Sequence, residues 1–142
     1  MWVPFGIEMG QAFSSNYRFL SKRVYSKMIF VIDDDEIMAE CLVNMARCEA
    51  KVFSNAIDAM AKIDDGIVPV LIFLDILLDG PDGFTFLNEL VSYSDTARIP
   101  IVIVSSLDFT GRDLSNYGVV GFLNKEKMVP EDVLNYVDKY CK

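Results

Sequence analysis

From Met28 onward, short unbroken apolar runs alternate with stretches whose apolar residues recur at helical spacing, and few folds accommodate that alternation. Strand and helix in strict succession predict parallel strands joined by crossover helices, because a parallel neighbour is reached only by a connection long enough to hold a helix. Five strand–helix pairs follow one another to the C-terminus. The expected fold is α/β, a doubly wound five-stranded parallel sheet with helices on both faces.

Met28–Ile32 is the first buried strand, and a helix is expected over about residues 37–47, with Ile37, Met38, Cys41, Leu42 and Met45 on one stripe. Lys51–Phe53 reads as a short second strand and Ala56–Ile63 as a helix that stops at Asp65-Gly66. Val68–Leu74 is the third strand and the most apolar, hence central, and it ends on Asp75. A loop with Gly and Pro, residues 78–83, leads to a helix over about Phe84–Tyr93 and then to a fourth strand, Pro100–Val104. A weaker helix over about Phe109–Tyr117, a fifth strand Val119–Leu123 and a last helix starting near Pro130 complete the series.

In a doubly wound sheet, functional groups gather beyond the carboxyl ends of the strands. The residues found there are Asp33 and Asp34 after the first strand, Asp75 after the third, Ser105 after the fourth and Lys125 after the fifth. Each has an ordinary explanation alone. Asp33-Asp34 would serve equally as helix caps, Ser105 as a turn residue and Lys125 as a solvated charge. Their joint occurrence, at one strand end after another, is what carries information. Three carboxylates brought together repel and need a shared proton or a cation. Mg²⁺ suits them, since it takes oxygen ligands from one or two carboxylates plus phosphate and keeps several waters.

Charge and composition narrow the partners. Residues 1–27 carry four Lys/Arg against one Asp/Glu, whereas residues 28–142 carry nine against twenty, so the acidic body disfavours direct nucleic-acid binding. The sequence has no histidine, and Cys41, Cys48 and Cys141 match no zinc-ligand spacing. Such thiols fit a reducing cytoplasm, as small core residues. No run reaches the length of a membrane span, and no secretory signal is apparent.

The segments VIDDDE (31–36), LDILLDGPDG (74–83), IVIVSS (101–106) and GFLNK (121–125) resemble the successive motifs of response-regulator receiver domains. The intervals between them, roughly forty, thirty and twenty residues, agree with that family, as do Asp82-Gly83 seven and eight positions after Asp75. The resemblance implies a flavodoxin-like fold of strand order 2-1-3-4-5 over residues 28–142. It implies a switch of a two-component or phosphorelay system in which Asp75 accepts a phosphoryl group as an acyl phosphate. A sensor histidine kinase or phosphotransfer protein would be the donor, and a protein target would read the result. Asp34 would hold Mg²⁺ directly, Asp33 mainly through water, and Asp75 with the backbone carbonyl of Leu77 would complete the ligands. Lys125 would pair with phosphoryl oxygens. Ser105 would move toward them and release Phe122 to rotate inward, altering a surface around residues 108–140. Such a chain acts as a monomer or a phosphorylation-linked homodimer in the cytoplasm, and catalyses only its own phosphoryl transfer and dephosphorylation.

Two positions depart from the family. Glu126 stands where a proline joined by a cis bond is usual, and because a non-proline cis bond costs roughly 3–4 kcal/mol, a trans Lys125–Glu126 bond is expected. Asp79 replaces another common proline and is expected to face solvent. Both departures suit the rival reading, a degenerate receiver that serves only as an unphosphorylated interaction or dimerisation module. Residues 1–27 match nothing in the pattern and are expected to form a flexible extension.

Overall fold

A computed structural model of the chain describes residues 24, 25, 27–76, 83–107 and 113–141. Seven strands occur among them, β1 (Val24–Tyr25), β2 (Ile29–Ile32), β3 (Ala50–Phe53), β4 (Ile67–Val68), β5 (Leu71–Leu74), β6 (Ile101–Ser105) and β7 (Val119–Asn124). The α-helices are α1 (Glu36–Ala46), α2 (Ala56–Asp64), α3 (Gly83–Val91) and α4 (Pro130–Tyr140). The main sheet is parallel throughout, in the order β3-β2-β5-β6-β7. Leaving aside β1 and β4, which among the described residues pair with each other, this is the expected order 2-1-3-4-5.

Every residue of β2, β5 and β6 is buried, as strands covered on both faces must be. Successive side chains then feed two separate cores, one on each face of the sheet. Phe30, Ile32, Ile72, Leu74, Ile101 and Ile103 pack with Ala59 and Ile63 of α2 and with Phe86, Leu87 and Leu90 of α3. Ile29, Val31, Leu71, Phe73, Val102 and Val104 pack instead with Ala39, Leu42 and Ala46 of α1 and with Val133 and Val137 of α4.

Local chemistry fixes the helix ends. Asp35 caps α1, its Oδ1 accepting from the amides of Ile37 (3.1 Å) and Met38 (3.2 Å), and Asn55 caps α2 by accepting from the Asp58 amide at 2.8 Å. Helix α4 opens with Pro130 in its first turn, and the Val129 amide donates to the Asp132 carboxylate at 3.0 Å. Helix α1 ends on Arg47 in the left-handed region, φ 54°. That conformation costs an L-residue roughly 1 kcal/mol and glycine almost nothing, so Arg47→Gly is expected to stabilise the fold by about 0.5–1 kcal/mol. A rise in the urea midpoint at unchanged slope would register the gain, and a fall would contradict it.

Several expectations need correction. On α1, Ile37 and Cys41 of the expected stripe are exposed, and the buried residues are Ala39, Leu42 and Ala46. The third strand is not continuous over Val68–Leu74. Pro69 has no amide to donate, so Ile67–Val68 leaves the main sheet to pair with Val24–Tyr25, and the central strand starts only at Leu71. The helix expected over Phe109–Tyr117 falls partly on residues 108–112, outside the described residues. Its remainder is a single 3-10 turn, Ser115–Tyr117, entered through Asp113, whose Oδ1 accepts from both the amide (3.1 Å) and the hydroxyl (2.7 Å) of Ser115. Of the leader expected to be flexible, Val24–Tyr25 is instead paired with Ile67–Val68 as β1, and residues 1–23 and 26 lie outside the described residues.

Candidate functional site

The ladder bonds that run past the strand ends set the site. The Asp33 amide donates to the Phe53 carbonyl (3.0 Å), the Asp75 amide to Ile32 (2.8 Å) and the Lys125 amide to Ser105 (3.0 Å). Each bond extends strand pairing by one residue and holds a functional backbone at the carboxyl edge of the sheet. The side chains of Asp33, Asp75 and Ser105 are buried there, whereas Asp34 is exposed.

Lys125 Nζ lies 3.0 Å from Asp33 Oδ2 and donates a hydrogen bond to Asp75 Oδ2 at 3.1 Å. The three side chains are only 14%, 2% and 6% exposed, so this ammonium bridges two largely desolvated carboxylates. The other oxygen of Asp33 accepts from the Asp35 amide at 2.9 Å. One carboxylate oxygen from each of Asp33, Asp34 and Asp75 lies within 4.8 Å of the other two.

The electrostatics follow from burial. Desolvation pushes the Asp33 carboxyl above its ordinary range, with the Asp75 charge acting in the same direction and the Asp35 amide and Lys125 opposing. Burial alone would lower the Lys125 ammonium, but its two carboxylate partners outweigh it and the net shift is upward. One ammonium does not balance three carboxylates. An all-oxygen set with excess negative charge fits a hard divalent cation such as Mg²⁺.

Ser105, at the end of β6, accepts from the Leu107 amide at 3.1 Å, which leaves its hydroxyl proton available to a ligand. Phe122, which pairs in register with Ile103, is half-buried against the α2–α3 core. On either side of residues 77–82, the Ile76 carbonyl accepts the Gly83 amide at 3.1 Å. A Cβ on Gly83 would come within 2.7 Å of the Ile76 Cα, so close approach of the backbones demands glycine here. Leu77 and Asp79 themselves lie outside the described residues.

Asn124 was missed by sequence reasoning. No cis peptide bond occurs among the described residues, so Lys125–Glu126 is trans, as expected. The turn is held by Asn124 instead. Its side-chain oxygen accepts the Glu126 amide at 2.8 Å, and its carbonyl accepts the amides of Lys127 (3.1 Å) and Met128 (2.9 Å). A proline at position 126 would have no amide to offer. The signal that was present is an Asn, a residue suited to bonding the backbone two positions on, directly before a lysine that no proline follows.

A family model described as the response regulator receiver domain matches residues 29–138. The chain belongs to the response-regulator receiver family. Response regulator PleD of Caulobacter vibrioides is 34% identical over 107 residues, 70% of this chain and 23% of that protein. A protein-glutamate methylesterase/protein-glutamine glutaminase of Oleidesulfovibrio alaskensis is 28% identical over 114 residues, 75% of this chain and 31% of that protein. The receiver thus spans about a quarter to a third of the length of these curated relatives. Among solved structures, the chemotaxis protein CheY4 of Vibrio cholerae superposes with a TM-score of 0.68 at 17% identity, covering 84% of this receiver and 99% of that chain, which speaks for the shared fold. Receivers are signal-transducing modules of two-component systems. No helix among the described residues is long and apolar enough to cross a membrane.

Proposed function

We propose that this receiver is a Mg²⁺-dependent phosphoryl-accepting switch whose acceptor is Asp75. The observation that carries the reading is the placement of the Asp75 carboxylate: buried, hydrogen-bonded at 3.1 Å to Lys125, and clustered with Asp33 and Asp34. Asp33, Asp34 and Asp75, with the Leu77 carbonyl, would hold the ion, which supplies charge neutralisation at the transferring phosphoryl group.

An oxygen of Asp75 attacks the phosphorus of a phosphohistidine on a sensor kinase or phosphotransfer protein. The P–N bond breaks, the imidazole leaves, and an aspartyl phosphate forms. Lys125 then exchanges part of its contact with the carboxylates for the phosphoryl oxygens, where its positive charge meets the charge that develops. The Ser105 hydroxyl donates to the same group. In turning toward it, Ser105 opens space for Phe122, and the change is passed to residues 108–140, which a downstream protein reads. The cytoplasm, where such kinases present their phosphohistidine, is the proposed compartment.

Incubation with acetyl phosphate, with and without Mg²⁺, tests the proposal. The expected result is a phosphoryl adduct that requires Mg²⁺ and is lost in Asp75→Ala. Absence of an adduct from the folded wild-type protein under every condition would support the degenerate interaction module instead.

A further inference from the structure

Far from the phosphoryl site, at the other end of the sheet, a second pair of reactive groups meets. Helices α1 and α4 lie side by side on one face. Both run antiparallel to the strands, so their C-terminal ends emerge together at the amino edge of the sheet. Cys48 follows the end of α1 by two residues, and Cys141 is the residue that closes α4. The two thiols share a hydrogen bond, and both side chains pack, half-buried, against the same apolar cluster. Cys41, the remaining cysteine, is exposed on α1.

We propose that Cys48 and Cys141 form a reversible intramolecular disulfide, a redox modification site that fastens the C-terminal ends of α1 and α4 to each other. The oxidant is a peroxide. The thiolate of Cys48 attacks one peroxide oxygen, an S–O bond forms as the O–O bond breaks, and the departing hydroxide takes up a proton to leave as water. Cys141, already in contact, then attacks the Cys48 sulfur. The S–S bond forms, the S–O bond breaks and a second water leaves. Two thiols and one peroxide thus give one disulfide and two waters.

The environment selects the order of events. Burial, with Cys48 and Asp138 nearby, pushes the Cys141 thiol up to about 11, and burial with Glu49 raises Cys48 as well. The hydrogen bond between them acts to lower Cys48 and to raise Cys141, so Cys48 is the thiol that reaches the thiolate first and meets the peroxide, and Cys141 follows as the resolving partner. The consequence lies at the opposite helix ends. Helix α1 starts one residue after Asp33 and Asp34, past its cap Asp35, and α4 starts after the turn that carries Lys125. A covalent tie between them restrains the face that links these two parts of the site.

The test uses the full chain, treated with hydrogen peroxide, then blocked with N-ethylmaleimide and weighed intact, with peptide mapping. The expected product is a monomer that has lost two hydrogens and takes one maleimide, on Cys41, where the reduced protein unfolded in denaturant takes three; dithiothreitol restores all three. Cys48→Ser and Cys141→Ser should each abolish that product, while Cys41→Ser should leave it intact. Oxygen addition to single cysteines, or Cys41-linked dimers with Cys48 and Cys141 still open to maleimide after unfolding, would overturn the proposal.

Discussion

Lys125→Met is expected to leave the metal-free receiver about 3 kcal/mol less stable than wild type at pH 7, with much of the loss recovered in excess Mg²⁺. Removal of one member of a buried ion pair strands its partners, and typical costs are about 3–5 kcal/mol against about 0–1 for an exposed pair. The lower end applies because the ammonium retains some contact with water, its side chain being 14% exposed. The pH dependence has a definite sign. The Lys125 ammonium is shifted upward, so its contribution is complete at pH 7 and is lost only as pH rises through its folded value. The Asp33 carboxyl is also shifted upward. For an acid this means stability that is complete below the ordinary carboxylate range and falls as pH rises through the raised value.

In Lys125→Met that second effect meets no opposing ammonium, so the variant should lose stability more steeply than wild type as pH rises from the carboxylate range toward neutrality. Mg²⁺ binds the folded protein and neutralises the same carboxylates, so it should flatten the slope in both proteins. Urea melts in EDTA and in magnesium chloride, at several pH values, make the comparison. A loss below about 1 kcal/mol would mean that Lys125 behaves as an exposed surface charge.

The strand ends were the most legible part of the sequence. Asp33, Asp75 and Ser105 each stop an apolar run, and a residue that stops a buried parallel strand has one place to be, the carboxyl edge of the sheet. Burial of the runs fixed the register, and the register brought Lys125 beside Asp33 and Asp75 from fifty or more residues away. Pro69 is visible in the sequence, but hydropathy runs straight through it, blind to the missing amide that splits the strand. The same blindness hid the Asn124 turn. Apolar periodicity reports which side chains are buried, whereas a turn depends on which amide finds which oxygen. Gly83 lies between these cases. Its place in the motif was evident, but the reason for glycine, the close approach of the Ile76 backbone, is a distance that no sequence pattern encodes.

Asn124 supplies the second large effect. If its side-chain oxygen holds the trans turn that aims Lys125, Asn124→Ala should slow phosphorylation by acetyl phosphate about tenfold to a hundredfold, the scale that small misplacements of a catalytic group produce. Mg²⁺ affinity should change little, since none of the proposed ligands is touched. Asn124→Asp retains an oxygen at the same reach and should keep most of the rate. The deciding comparison is made in a Glu126→Pro background, where the amide that Asn124 accepts no longer exists. There Asn124→Ala should cost far less than in wild type, because there is no bond left to remove. Equal slowing in both backgrounds would show that Asn124 acts through something other than the Glu126 amide. A parallel fall in Mg²⁺ affinity would place its effect on the acidic cluster rather than on Lys125.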